Sequence, residues 1–261
     1  MNLIFSIISF LLFTQVTYAQ PAVSKKYFHL YLLAGQSNMA GRGKVEAEDT
    51  TTNTRIWMLN KKGEWLLAKE PLHFDKPNVT GVGPGFSFAK KMAALDTNIV
   101  IGLIPCAVGG SSIASWQQGA YFEPTKSYPY DDAIKRTKLA MQNGTMKGIL
   151  WQQGESDCDS LRSMAYRSKL IALVKFFRKD VNIKSLPFVA GTIAPFYEAK
   201  HIYARKINEA IEGLPQILKR TAIVSSDGLI DKGDATHFNS ASARELGERY
   251  ATVFISTFSK K

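Results

Sequence analysis

The chain predicts an α/β fold, a parallel sheet covered by helices on both faces. Short β-branched or aromatic runs recur along it with helical stretches between them, the pattern of repeated strand-helix-strand units. The helical stretches carry apolar stripes at helical spacing: Tyr166, Leu170, Leu173, Val174 and Phe177 fall on one face, and Leu246, Tyr250, Val253, Phe254 and Phe258 on another. The chain has 261 residues, 45% of them apolar, which suits one domain with an ample core.

Taken in order, the first element is not part of the fold. Leu3 to Phe13 is almost wholly apolar, and Thr17-Tyr18-Ala19 offers the small-x-small pattern of a signal-peptidase site before Gln20. That run is shorter than the roughly 20 residues a bilayer span needs. Residues 1–19 are therefore expected to be a signal peptide and residues 20–261 a single domain, exported, either secreted or periplasmic, and not held in a membrane after cleavage. Strands are expected at Phe28–Leu33, Arg55–Leu59, Ile99–Pro105, Gly148–Gln152, Pro187–Ile193 and Ala222–Ser225. Helices are expected at Phe86–Leu95, Asp131–Gln142, Ser160–Lys179 and Ile202–Glu212, with a last one at the C-terminus.

The formal charge of +11 is compatible with an acidic glycan or an anionic cell surface, but the Lys and Arg residues are scattered, as on a solvated basic face. Nucleic acid is disfavoured by export and by the lack of a binding motif. Cys106 and Cys158 each follow a predicted strand, so an oxidising compartment leaves open both a disulfide at one sheet edge and two buried thiols. With four histidines, no HExxH and no cysteine spacing of a metal site, a dedicated metal centre is not expected.

Four polar segments converge on one rim. Gly35–Asn38, Ala107–Ser112 and Gln152–Asp157 each follow a predicted strand at its carboxyl end, where open α/β sheets bind ligands, and Asp234–His237 follows the last strand after a short loop. A serine hydroxyl is a weak nucleophile at neutral pH, and an imidazole oriented by a carboxylate is the usual remedy. Ser37 and His237 with Asp234 supply those groups from two short segments. Ser37 can alternatively cap a helix, and Met39 stands where a GxSxG elbow has its second glycine. Asp234, three residues before His237, can fix its tautomer, while Asn239 is free to cap the next helix. Donors for a developing oxyanion can come from the backbone at Gly109-Gly110 and Ser37 and from the side-chain amide of Gln153, although a tight turn and a sheet-end amide explain these equally. Glu155 and Asp157 pose a competing glycosidase reading, but carboxylates two apart in a loop seldom face each other across a sugar. Glu155 is instead expected to hold the Ser37 or His237 loop, and Asp157 to serve as a turn or cap.

The segments Gly35-Gln36-Ser37-Asn38, Gly109-Gly110-Ser111, Trp151 to Asp157 and Asp234-Ala235-Thr236-His237 together resemble the SGNH-hydrolase superfamily. Within it they resemble the sialate O-acetylesterase-like group that includes the family 6 carbohydrate esterases acting on acetylated xylan. The likeness runs from about Phe28 to the C-terminal helix. It implies a three-layer α/β/α sandwich of flavodoxin-like kind with a central parallel sheet. It also implies Ser37 as nucleophile, His237 as base, Asp234 as its orienter, and Ser37, Gly110 and Gln153 as oxyanion donors. Gln36, Asn38 and Glu155 fall in the second rank around them. The broader superfamily has Asn in its third block where this chain has Gln153, and alignment on Gly154 would put Ser156 there instead. The implied reaction needs no metal or organic cofactor, and the implied partner is an acetylated oligo- or polysaccharide such as xylan, pectin or a sialylated glycan. Gly and Ser at 109–112 suit a short acyl group, and Trp116 and Tyr121 can either stack on a sugar or simply pack. A short-chain lipid or thioester hydrolase and an inactive glycan-binding module are the alternatives.

Overall fold

The structure is a computed structural model that describes residues 21 and 23–259; the expected signal peptide lies outside the described residues. Seven strands form one sheet: β1 Phe28–Gly35, β2 Ile56–Leu59, β3 Trp65–Leu67, β4 Val100–Pro105, β5 Thr145–Gln152, β6 Phe188–Gly191 and β7 Thr221–Val224. Their order is β3-β2-β4-β1-β5-β6-β7. Every pairing is parallel except β2 with β3. The inner run β4-β1-β5-β6-β7 has the flavodoxin-like order, to which β2 and β3 add an outer edge. The three-residue β3 is the strand the sequence pattern passes over, because a run so short carries no periodicity to read.

Nine helices lie along the described residues: α1 Ser37–Ala40, α2 Ala47–Thr50, α3 Pro84–Ala94, α4 Pro129–Ala140, α5 Ser160–Asp180, α6 Pro195–Glu198, α7 Ala204–Glu212, α8 Leu214–Ile217 and α9 Ser240–Phe258. Central β1 separates the two cores by its pleat. Phe28, Leu30, Leu32 and Ala34 enter the layer built by α4, α5 and α7, while Tyr31 and Leu33 enter the layer of α3 and α9. The expected stripes fill these layers: Tyr166, Leu170, Leu173, Val174 and Phe177 of α5 are buried in the first, Leu246, Tyr250 and Phe254 of α9 in the second. Asp159 caps α5 by accepting from Leu161 and Arg162 N–H, and Asn239 caps α9 by accepting from Ser242 N–H. At Gly247 of α9 a Cβ would run into the Pro84 carbonyl and the Ser87 hydroxyl, so α3 and α9 meet backbone to backbone.

Two alternatives left open by the sequence are decided here. Cys106 and Cys158 are free thiols. They follow β4 and β5, and β1 lies between those strands. At about 4.8 Å per strand that separation exceeds the roughly 7 Å over which a disulfide closes. Trp116 is buried, its ring 5.1 Å from that of Trp151 and its Nε1–H donated to Ser111 Oγ, so it packs in the core rather than facing a sugar. Tyr121 is exposed and rests on Tyr128.

The topology sets the site. The chain leaves β1 for β2, β3 and β4 on one side and then crosses to β5 on the other, so the loops after β4 and β5 diverge around the end of β1, the place where such sheets open a crevice.

Candidate active site

Ser37 is delivered by the end of β1. Gly35 has φ +128°, and a Cβ there would collide with the Gln152 carbonyl of β5, so only glycine lets the chain turn out of the sheet this tightly. The Gln36 N–H then donates to Gln152 O at 2.9 Å, and Gln36 occupies the N-cap position of α1. Ser37 therefore does not cap the helix. Its hydroxyl lies 3.0 Å from His237 Nε2.

His237 comes from a loop that ties itself into shape. Asp231 Oδ2 accepts from the N–H groups of Gly233 (2.9 Å) and Ala235 (2.6 Å), and Lys232 N–H donates to His237 O across the turn. Asp234 Oδ1 accepts from the backbone N–H of Thr236 and His237, while Oδ2 meets His237 Nδ1 at 2.7 Å and Lys232 Nζ at 3.2 Å. Partial burial alone would push the Asp234 carboxyl up. The bonds from His237, Thr236 and Lys232 outweigh it and hold the carboxyl well below its ordinary range. An ionised carboxylate on Nδ1 leaves Nε2 as the proton acceptor facing Ser37.

Asn38 joins the two halves. Its Nδ2 donates to Glu155 Oε1 at 2.5 Å and to Thr236 O at 3.0 Å, and its Oδ1 accepts from Phe238 N–H. The side chain thus holds the peptides on both sides of His237. Glu155 is buried, which raises its pKa against the lowering effect of the Asn38 bond. Glu155 Oε1 thus accepts from the same Asn38 amide that donates to Thr236 O.

Gln153 is placed differently from the expectation. It is fully buried, and its Nε2 donates to Gln36 Oε1 (3.2 Å), Ser111 O (3.1 Å) and Asp157 Oδ2 (2.6 Å), so the amide sits behind the crevice instead of lining it. Gln36 stands in front. Its Oε1 also accepts from Ser156 N–H, which fixes the amide orientation. Gln36 Nε2 has no acceptor among the described residues, is not sealed off from solvent, and belongs to a residue lining the crevice. Asp157 is more than a local cap: it also accepts from Ile113 N–H across 44 positions. Ser156 lines the crevice.

The remaining wall is the 107–112 loop. Gly110 has φ +82°, and neither its N–H nor that of Ser37, the first of α1, has an acceptor among the described residues. The Gly109 N–H is held at 2.7 Å by Asp75 Oδ2, which Arg42 braces at 3.3 Å. The crevice is open, about 600 Å³, and Lys76, Lys232 and Tyr197 also line it. Among the described residues no group of three or more His, Cys, Asp or Glu side chains is arranged to hold a metal ion.

Residues 27–256 match the family model described as carbohydrate esterase, sialic acid-specific acetylesterase. The chain belongs to this family. A probable carbohydrate esterase of Arabidopsis thaliana is 34% identical over 249 residues, covering 88% of this chain and 91% of its own. A 1.6 Å crystal structure of an Arabidopsis thaliana protein superposes with TM-score 0.79 at 33% identity, over 88% of this chain and 98% of that one. The structure of NanS shares the fold, with TM-score 0.71 at 21% identity over 92% and 100% of the two chains. The chain is thus an esterase of the carbohydrate acetylesterase class. Four residues of this carbohydrate esterase's site escape a reading of its sequence: Arg42, Asp75, Lys76 and Lys232. Arg42 and Asp75 meet across 33 positions with no motif to connect them, and Lys232 is marked only by lying two residues before Asp234.

Proposed function

We propose that this esterase removes acetyl groups from an acetylated glycan through a Ser37 acyl-enzyme. The observation that carries the reading is the run of two contacts, His237 Nε2 to Ser37 Oγ at 3.0 Å and His237 Nδ1 to Asp234 Oδ2 at 2.7 Å. As Ser37 Oγ attacks the acetyl carbonyl, its proton passes to His237 Nε2, and Asp234 supports the imidazolium. The oxyanion forms beside the free N–H groups of Ser37 and Gly110 and, in place of Gln153, the amide Nε2 of Gln36. His237 returns the proton to the departing sugar hydroxyl. Water, deprotonated by the same imidazole, then releases acetate and restores the serine.

An open crevice walled by Gln36, Gly110, Glu155 and Lys76 suits a small acyl group on a polar carrier better than a long acyl chain. The sialic-acid and acetylxylan types of substrate are the two candidates. The apolar N-terminal run and the small residues before Gln20 support export to the periplasm or beyond. The test is acetate release by the chain starting at Gln20 from 4-nitrophenyl acetate, acetylated xylan and an O-acetylated sialic acid, beside Ser37→Ala. The expected outcome is turnover of at least one glycan, lost about 10³-fold or more in the variant. Equal turnover by both proteins would refute the reading.

A further inference from the structure

A second cavity, about 450 Å³, opens behind the loop that carries Gly109 and Gly110. It plays no part in the chemistry derived above. Val108 and Asp75 line it, while their chain neighbours Gly109 and Lys76 line the Ser37 crevice, so in two places a single residue step, about 3.8 Å of chain, divides the two spaces. Its size suits a sugar unit or two.

Two features describe what it would hold. Deep in its wall, His73 and Asp75 carry side-chain atoms with no hydrogen-bond partner among the described residues, Nε2 and Oδ1. The His73 ring already bonds the Leu33 backbone through its other nitrogen, and burial, the largest cause, lowers its pKa to about 4. With the ring neutral, Nε2 is an acceptor, and Asp75 Oδ1 is a second buried oxygen with no donor among the described residues. Arg136 Nε, a buried donor of the same lining, also has no partner among the described residues, so the wall calls for groups that both donate and accept, such as hydroxyls. At the rim stand Lys61, Lys62, Lys126 and Lys135, all exposed and none with a carboxylate within 4.0 Å among the described residues. Asp132 is the acidic residue on that side, and its Oδ2 accepts from Tyr128 N–H. A cationic rim calls for an anion. A simple oxyanion meets the rim but has no hydrogens for the wall, whereas a neutral sugar meets the wall but leaves the rim unused.

We propose that this cavity is a second carbohydrate site that takes an acidic sugar unit, its hydroxyls donating toward His73 Nε2 and Asp75 Oδ1 and its carboxylate meeting the four rim lysines. Asp75 also holds Gly109, so the occupied cavity and the crevice share a wall. A glycan chain acetylated on one residue and carboxylated on a neighbour would engage both spaces. That extension to a substrate path rests on the esterase reading; the binding chemistry of the cavity does not.

The experiment uses the chain starting at Gln20 with Ser37→Ala, so that no probe is turned over, and titrates it calorimetrically with a glucuronic acid-bearing xylo-oligosaccharide, neutral xylotetraose and sodium sulfate. The acidic oligosaccharide should bind tightest, and Lys61→Glu with Lys126→Glu should weaken it about tenfold or more while leaving the fold intact, both positions being exposed. Equal binding of xylotetraose, equal binding of sulfate, or indifference to the double reversal would each overturn the proposal. Hydrolysis of 4-nitrophenyl acetate by the same double variant with Ser37 restored should match wild type. That substrate is too small to need the cavity, so a loss of esterase activity and a loss of acidic-sugar binding are read separately.

Discussion

The two halves of the candidate site are held in different ways. Gln36, Ser37 and Asn38 are only 3%, 6% and 4% exposed and continue directly from the central strand, so their position is set by the sheet and its packing. Asp234 and His237 have side chains 34% and 23% exposed, on a loop kept in shape by its own short-range hydrogen bonds and by Asn38. Position on the first side comes from burial and on the second from polar contacts that water contests. Damage to the first half should therefore cost stability, and damage to the second should cost turnover while sparing the fold.

The sharpest separation is expected at His237. His237→Ala removes the proposed base from an exposed loop, so kcat should fall about 10³-fold or more with little change in Tm. A Tm loss of many degrees would show that the loop is part of the core and would dissolve the comparison. Next comes Gln36→Glu, which keeps the acceptor for Gln153 Nε2 and Ser156 N–H but replaces the amide donor facing the crevice. Loss of one oxyanion donor predicts a fall of about 10²-fold in kcat with KM much less affected, whereas a purely structural Gln36 predicts none. Asn38→Ala straddles the halves. It leaves Glu155 and the Phe238 N–H without their partner, so it should cost about 1–3 kcal/mol in denaturant unfolding together with an intermediate loss in kcat.

Smaller and purely structural is the effect expected at Glu70, on the sheet-held side. Its buried carboxyl accepts from the N–H of Leu72 and of Gly83, and a Cβ at Gly83 would crowd the Met39 carbonyl of α1. Burial raises its pKa to about 8, outweighing those two bonds. A carboxyl raised on folding contributes stability that is complete below its unfolded pKa, near 4.5, and lost as pH climbs through about 8. Tm measured by calorimetry should decline across that window. The decline should flatten in Glu70→Gln, which cannot ionise, and a wild-type profile that rises over the same range would contradict the assignment.

Much of this was legible in the sequence, and the rest shows where the legible signal ends. β1, β4 and β5 announce themselves through apolar runs, and α5 and α9 through their stripes, since burial on a regular element leaves a period. The antiparallel edge strand β3 leaves none. At the site, the histidine segment is readable because it contains its own partner, Asp234 three residues before His237, and the serine segment because it directly follows the apolar run of β1. The exchange of places between Gln36 and Gln153 is not readable: both are glutamines at strand ends, and only the Ser156 N–H and the Asp157 carboxylate decide which amide faces outward. Arg42 and Asp75, which brace the Gly109 peptide, are brought together by tertiary structure alone.

The central claim is that Ser37 carries the acetyl group between substrate and water. Its most direct test is peptide mass spectrometry of the protein acid-quenched within milliseconds of mixing with 4-nitrophenyl acetate. The account predicts one added acetyl group on the peptide containing Ser37, formed at a rate no slower than turnover and absent from Ser37→Ala. An unmodified Ser37 in a protein that is turning over, or an acetyl group that forms more slowly than product, would contradict it.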